Sequence, residues 1–246
     1  IYLFLYLPIF VVIAFSFNTS KMNITFEGFT LEWYGRMFEN RQLMQSFFNT
    51  VIVAGVSTVL SVIIGTLCAL GLYKFEFKLK NVLSSSLYIP IVIPELVFAI
   101  ALLIFFTSLN ISMSMATLII AHVTFSMPFV VITVRARLAG FDHSIEEAAR
   151  DLGANELHTF WRVTLPMISP GVLSGGMLAL TMSLDDVVVS FFTAGPESTT
   201  LPLKILGMVR KGVSPDVNAL STLMIVGTIV ILLTSTVIQG RLERKM

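Results

Sequence analysis

Glu147-Ala148-Ala149-Arg150-Asp151-Leu152-Gly153, running on to Leu165-Pro166, lies in the longest polar interval between two apolar segments of this chain. On either side of it the sequence reads as membrane. Of the 246 residues, 55% are hydrophobic and 13% charged. The mean hydropathy is +0.87, too apolar for an ordinary soluble domain. A formal net charge of +1 gives no reason to expect nucleic acid as a partner. The single cysteine, Cys68, excludes an internal disulfide framework or zinc knuckle. In its apolar run it reads as a small buried thiol.

A bilayer core of about 30 Å needs about 20 helical residues. Working outward from the polar interval, six stretches meet or approach that length: Ile1–Phe17, Phe47–Tyr73, Val82–Phe106, Met113–Val134, Gly171–Thr193 and Val217–Gln239. None of the last five contains Lys or Arg. Six crossings place both termini on one side. That side collects Lys74, Lys78, Lys80, Arg135, Arg137, Arg150, Arg162, Arg241, Arg244 and Lys245, against Lys21, Arg36, Arg41, Lys204, Arg210 and Lys211 opposite. The excess of basic residues makes the first face, with both termini, cytoplasmic. The chain opens at Ile1 within a hydrophobic run and without an initiator Met, so it is read as a truncated membrane domain over 1–246, not as a cleaved signal.

Several residues interrupt the apolar pattern. Trp33 and Tyr34 in the first outer segment read as interfacial anchors. Gly55 and Gly65 mark the second span as an inner packing helix. Pro90 and Pro94 lie one turn apart in the third span, directly before Glu95, and predict a kink or break there. Glu95 is then about 20 Å from the cytoplasmic end at helical rise, and so is Asp185 in the fifth span. Asp186 follows it, about 100° round the helix, so one Asp can line a path while the other faces a neighbour. Ionisable groups in a membrane are costly and face cavities or partners. With no Lys or Arg in the five complete spans, the three acids either take a cation from elsewhere or are neutralised by protonation or a partner. In the fourth span His122 reads as a packing histidine, and Pro128 as a second kink between Phe125 and Phe129. In the second outer segment Leu203–Lys211 reads as a short surface helix with Thr200 as its cap.

The polar interval, 135–169, reads as a small folded unit. Ser144-Ile145-Glu146-Glu147 has the spacing of a capping box, and Gly153 suits a left-handed stop. Asn155 can cap a second short helix bearing Leu157, Phe160, Trp161 and Val163, with Pro166 and Pro170 separating it from the fifth span. A solvated charge run has no need of Phe160 and Trp161.

Glu147-Ala148-Ala149, Gly153 and Val163-x-Leu165-Pro166 together resemble the EAA signature of permease subunits in binding-protein-dependent ABC importers. Val163 stands where that signature has Ile. The resemblance continues through Phe125–Asp151, Ser183–Ser190, Leu201–Ile205 and Gly212–Ala219, which are similar to the second permease subunit of spermidine/putrescine importers, the PotC type. It implies an all-α membrane protein of six transmembrane helices with the type I ABC importer permease fold, in a bacterial inner membrane. It also implies that Glu147, Ala148, Ala149, Gly153, Leu165 and Pro166 couple the chain to a cytoplasmic ABC ATPase dimer. A second homologous permease and a periplasmic solute-binding protein complete the implied assembly.

The chain has no Gly-x-x-x-x-Gly-Lys-Ser/Thr loop, so it is not itself the ATPase. ATP and Mg belong to the partner, and no cofactor or metal is expected here. A polyamine would pass Glu95, Asp185 and Asp186, with cation–π contact from Phe125, Phe129 or Phe191. A permease for another small solute would share the fold. A proton-coupled secondary transporter would use the same acids but leave the folded loop without a task. A membrane protease is excluded, because adjacent Asp185 and Asp186 cannot oppose each other as a dyad and no His-Glu-x-x-His motif occurs.

Overall fold

A peptide group in hydrocarbon has no water to bond, so each crossing segment must satisfy its own backbone. The computed structural model of the chain describes residues 2–20, 25–142, 144–209 and 215–243. The described residues carry no strand; one isolated antiparallel bridge, Asn18–Phe29, folds the first outer segment back on itself. The helices are α1 (Tyr2–Phe15), α2 (Glu32–Glu39), α3 (Arg41–Lys74), α4 (Lys80–Ser86), α5 (Ile89–Val92), α6 (Glu95–Ser108) and α7 (Met115–Leu138). There follow α8 (Ser144–Asp151), α9 (Glu156–Thr159), a π-helical turn (Phe160–Thr164), α10 (Leu165–Asp185), α11 (Val188–Thr193), α12 (Leu201–Val209) and α13 (Pro215–Glu243). Of the basic residues used for orientation, Lys21, Arg210, Lys211, Arg244 and Lys245 lie outside the described residues, as do Gly212, Val213 and Ser214.

The six expected crossings resolve differently. By length and composition, four described helices can cross a bilayer: α3, α7, the continuous run Glu156–Asp185, and Pro215–Ile238 of α13. The third expected span is not one kinked helix. Lys80–Val92 and Glu95–Ser108 meet at 111°, a broken span or a re-entrant loop. The first is a short apolar helix, Leu3–Phe15. The fifth does not run through to Thr193 but ends at Asp185. Nor do Pro166 and Pro170 separate it from the loop. Pro166 follows the π turn without ending the helical run, and α10 continues through Pro170. Likewise α7 continues through Pro128.

Three helices form the frame. Ala69, Leu70 and Leu72 of α3 pack with Val130, Val131, Val134 and Leu138 of α7 and with Ile168 and Ala179 of α10. Gly65 sets the approach of α3 to α7: a Cβ there would lie 2.9 Å from the Val130 side chain and 3.2 Å from the Met127 carbonyl. Gly55, also expected to pack, faces open space. Buried serines cross the same frame: Ser61 of α3 bonds Ser126 of α7 at 2.8 Å, and Ser57 bonds Ser183 of α10 at 3.1 Å.

The end of the frame away from the polar unit is closed by a second cluster, in which Trp33 and Met37 of α2 pack on Leu43, Leu201, Ala219 and Leu220. Trp33 is therefore no interfacial anchor. It is 6% exposed, donates Nε1–H to the Asn18 carbonyl at 2.5 Å and carries the Arg36 guanidinium over its ring. Tyr34 bonds Ser16 at 2.9 Å. The expected cap of α12 is also replaced. The Leu201 amide is satisfied by Thr50 of α3 at 2.7 Å, while the Thr200 hydroxyl has no partner among the described residues.

Gly65→Leu should therefore destabilise the fold by about 1–3 kcal/mol through overpacking, whereas Gly55→Leu should stay within about 0.5 kcal/mol. Unfolding of the purified chain in detergent measures both. Equal losses would mean that Gly65 does not set the helix approach.

Candidate functional site

Two helix breaks make the site. Pro94 has no N–H to give and biases the residue before it away from helix. Ile93 is accordingly extended (φ −69°, ψ 134°), and Pro94 itself has ψ 132°. Pro90, by contrast, falls in the first turn of α5, where it is tolerated. Glu95 is then the first residue of α6, exposed and at the positive end of the helix dipole. Its depth cannot be counted along an unbroken helix. The second break is at Asp186, extended at φ −62° and ψ 130°, between α10 and α11. The two breaks meet. The helices that follow the two breaks, α6 and α11, pack against each other, and the Glu95 carboxyl comes close enough to those of Asp186 and Asp185 to feel their charge.

The two aspartates have different surroundings, because the helix ends between them. Asp185 is exposed. Asp186 is buried, and both of its carboxylate oxygens accept hydrogen bonds. Its Oδ1 accepts from the Val189 amide at 3.1 Å, and its Oδ2 from the Ser190 amide at 2.7 Å and the Ser190 hydroxyl at 2.6 Å. It thus caps the first turn of α11, and His122 Nε2 stands 3.3 Å from Oδ2. Ser190, having given its proton to Asp186, can accept from His122 Nε2–H at 3.1 Å. His122 Nδ1 shares a hydrogen bond with the Ser183 hydroxyl at 2.6 Å. His122 is the packing histidine the sequence suggested, but what it packs is the acid cluster.

At the other end of α11, the Thr117 hydroxyl donates to the Thr193 carbonyl at 3.0 Å. This short helix is thereby capped in its first turn and bonded at its last residue. His122, Ser183, Ser190 and Thr117 were not among the expected site residues. A lone histidine near serines on separate helices gives no sequence signal until the helices are packed.

The aromatic residues divide. Phe125 joins the cluster of Ala99, Phe106, Ala121 and Val189, lies 5.9 Å from Phe98 and 6.1 Å from Phe129. Phe191 is 61% exposed and packs edge-on to Phe192.

The polar unit lies at the opposite end of α10. The helix α8 opens at Ser144, but Ser144 is not its cap: the Asp142 carboxylate accepts the Ser144 amide at 2.9 Å. The stop is as expected. Gly153 has φ +88°, its amide bonds the Arg150 carbonyl at 2.8 Å, and the Ala154 amide reaches back to Ala149 at 3.0 Å. This is a Schellman closure. Asn155 caps α9 through the His158 amide at 2.8 Å. Glu147 and Ala148 are exposed, Ala149 half-buried; Leu165 and Pro166 open α10. Leu152 at the tip is 91% exposed and Trp161 59%. With Gly153, Asn155 and Arg162, Leu152 lines a shallow cleft.

Glu146 holds this unit to the frame. Its carboxylate accepts Lys74 Nζ at 2.9 and 3.0 Å and the Thr164 hydroxyl. Burial raises its pKa, but the Thr164 and Lys74 hydrogen bonds and the charges of Lys74 and Arg150 outweigh this and hold it below the usual carboxylate range. Arg150 also pairs with Glu156 at 3.1 Å.

Comparison with known proteins gives a consistent result. Residues 61–246 match the family described as binding-protein-dependent transport system inner membrane component. The chain is 42% identical over 238 residues to the spermidine/putrescine transport system permease protein PotC of Escherichia coli K12, covering 97% of this chain and 90% of that one. It is 38% identical over 229 residues to the putrescine transport system permease protein PotI of the same strain, covering 90% and 82%. Among solved structures, a bacterial ABC transporter involved in import of the acidic polysaccharide alginate superposes with a TM-score of 0.72, covering 97% of this chain and 91% of that chain at 17% identity. At that identity the likeness is one of fold.

Two predictions follow from the geometry. Asp186→Ala, which strips a buried cap of its acceptor, should cost about 2–4 kcal/mol of stability, and Asp185→Ala within about 0.5 kcal/mol; denaturant unfolding in detergent separates them, and equal costs would contradict the assignment. For Glu146 the folded pKa lies below the unfolded value of about 4.3. Its contribution is therefore complete above that value and is lost as pH falls through the folded pKa. The stability gap between wild type and Glu146→Gln should close in acid, and a gap that persists would refute this.

Proposed function

The chain belongs to the binding-protein-dependent transport system inner membrane component family, and we propose that it forms half of the membrane path of an ATP-driven importer for polyamines of the spermidine and putrescine class. The observation that carries the substrate class is the meeting of Glu95, Asp185 and Asp186 at two broken helices, in spans without Lys or Arg. A flexible polycation supplies the missing counter-charge. The names of the similar permeases PotC and PotI point the same way.

In this reading Glu95 and Asp185 meet the amines, because both are exposed in the single chain. Asp186 spends its lone pairs on α11 and His122, and so shapes the path instead of binding cargo. Phe125 and Phe129 offer aromatic faces nearby, while Phe191 faces outward, where a second homologous permease would sit. Amine–carboxylate attraction strengthens as water is excluded, but conduction needs sites weak enough to release the cation.

The remaining parts of the assembly fit around this centre. Counted with α1 and the broken α4–α6 unit, the four long helices make six crossings of a bacterial inner membrane, with both termini and α8 on the cytoplasmic side. The exposed Leu152 and the cleft beside Gly153 form the surface for a cytoplasmic ATPase dimer, which binds ATP and Mg. A periplasmic binding protein delivers the polyamine at the outer end closed by Trp33 and α12. Movement of Ser144–Val163 by the ATPase opens the path at the Glu95–Asp185 centre.

The test is uptake of labelled spermidine by the assembled complex in proteoliposomes. Glu95→Gln and Asp185→Asn should each lower uptake by at least about tenfold, the scale of one lost charge-assisted contact, and uptake should stop without ATP. Wild-type rates in both variants would sink the cation path, and uptake driven by a proton gradient alone would replace the importer with a secondary transporter.

A further inference from the structure

The helix α8 is two turns long and buries a single described side chain, and that side chain is the carboxylate of Glu146. A helix resting on apolar contacts can slide over them, whereas charge-assisted hydrogen bonds fix direction as well as distance. Glu146 Oε1 takes both Lys74 Nζ and the Thr164 hydroxyl, and Oε2 takes Lys74 Nζ at 3.0 Å. Lys74 is the last residue of α3, and Thr164 closes the π turn, directly before the first residue of α10. One carboxylate therefore ties three elements together, and it does so by a route that bypasses the exposed turn 152–155.

The two elements it grips are those that lead to the acid cluster. About 30 Å along α10, at 1.5 Å per residue, stand Ser183, Asp185 and the break at Asp186. On α3, Ser57 bonds Ser183 at 3.1 Å. A π turn is a wide, weakly determined stretch of helix, often found at functional positions. Here it is pinned at its last residue by Glu146. Glu147, by contrast, is exposed and belongs to the surface that a partner touches.

We infer that Glu146 is the positioning residue that makes α8, the end of α3 and the base of α10 one moving body, so that displacement of α8 reaches the break at Asp186. The inference rests on the reading of Ser144–Val163 as the ATPase-docking unit.

The experiment uses the full complex in proteoliposomes with its binding protein, and reads spermidine moved per ATP hydrolysed, together with the amount of ATPase that co-purifies. Lys74→Met and Glu146→Gln should each keep the ATPase bound and hydrolysing while lowering transport per ATP at least about fivefold, the lower range of a coupling effect. Val134→Ala, a cavity in the same frame, should lower yield and melting temperature but leave that ratio intact. The exchange of Lys74→Glu with Glu146→Lys should recover most of the ratio. A ratio unchanged in both single variants would overturn the inference, as would an exchanged pair no better than either single variant. Absence of the ATPase from the purified wild-type complex would overturn the docking reading itself, and this inference with it.

Discussion

The carboxylate of Asp186 accepts two backbone amides, a serine hydroxyl and the approach of His122. On that set of contacts the site depends. Ending a helix inside hydrocarbon leaves orphan donors that no water can satisfy. Asp186 supplies the acceptor for α11, and Thr117 supplies the donor at its far end. Because the break is satisfied in this way, the chain can hold Asp185 and Glu95 at the same point without losing the fold. The cost of buried charge is met locally, by serines and histidine drawn from four different helices.

The frame that holds this network in register is α3, α7 and α10. Where Gly65 meets Val130 there is no room for a side chain, and the serine pairs add polar contacts between helices whose apolar faces give no net preference for one another in lipid. The surrounding helices are less enclosed. In the apolar part of α7, 44% of residues are buried, against 11% in that of α13, which makes α13 a peripheral helix of the single chain. Its exposed Ile, Leu and Val side chains are therefore ordinary for this class of protein.

At the end of the frame that carries the polar unit the same economy of polar contacts recurs. The loop unit is joined to the frame by Glu146, with Lys74 on one side and Thr164 on the other. Apolar Leu152 and Trp161 remain outside. The unit is thus fastened inward by Glu146 and by Phe160 packed on the core, and it exposes apolar residues outward.

Periodicity and composition were enough to read the class of the protein, because a span without charge and a loop with Gly, Asn and acidic residues are local signals. Gly153 at positive φ, the Asn155 cap and the break near Pro94 follow from properties of single residues and their neighbours. The rest depended on which helices touch. Helical rise along an unbroken span could not place Glu95 against Asp186, since both helices are broken just there. No pattern around Asp185 and Asp186 told the two apart until Ser190 and His122 were brought to one of them. Trp33, Thr50 and Glu146 likewise took their roles from partners 15, 151 and 18 or more residues away. Hydrogen-bond capacity is written in the sequence, but which donor meets which acceptor is decided only when the helices pack.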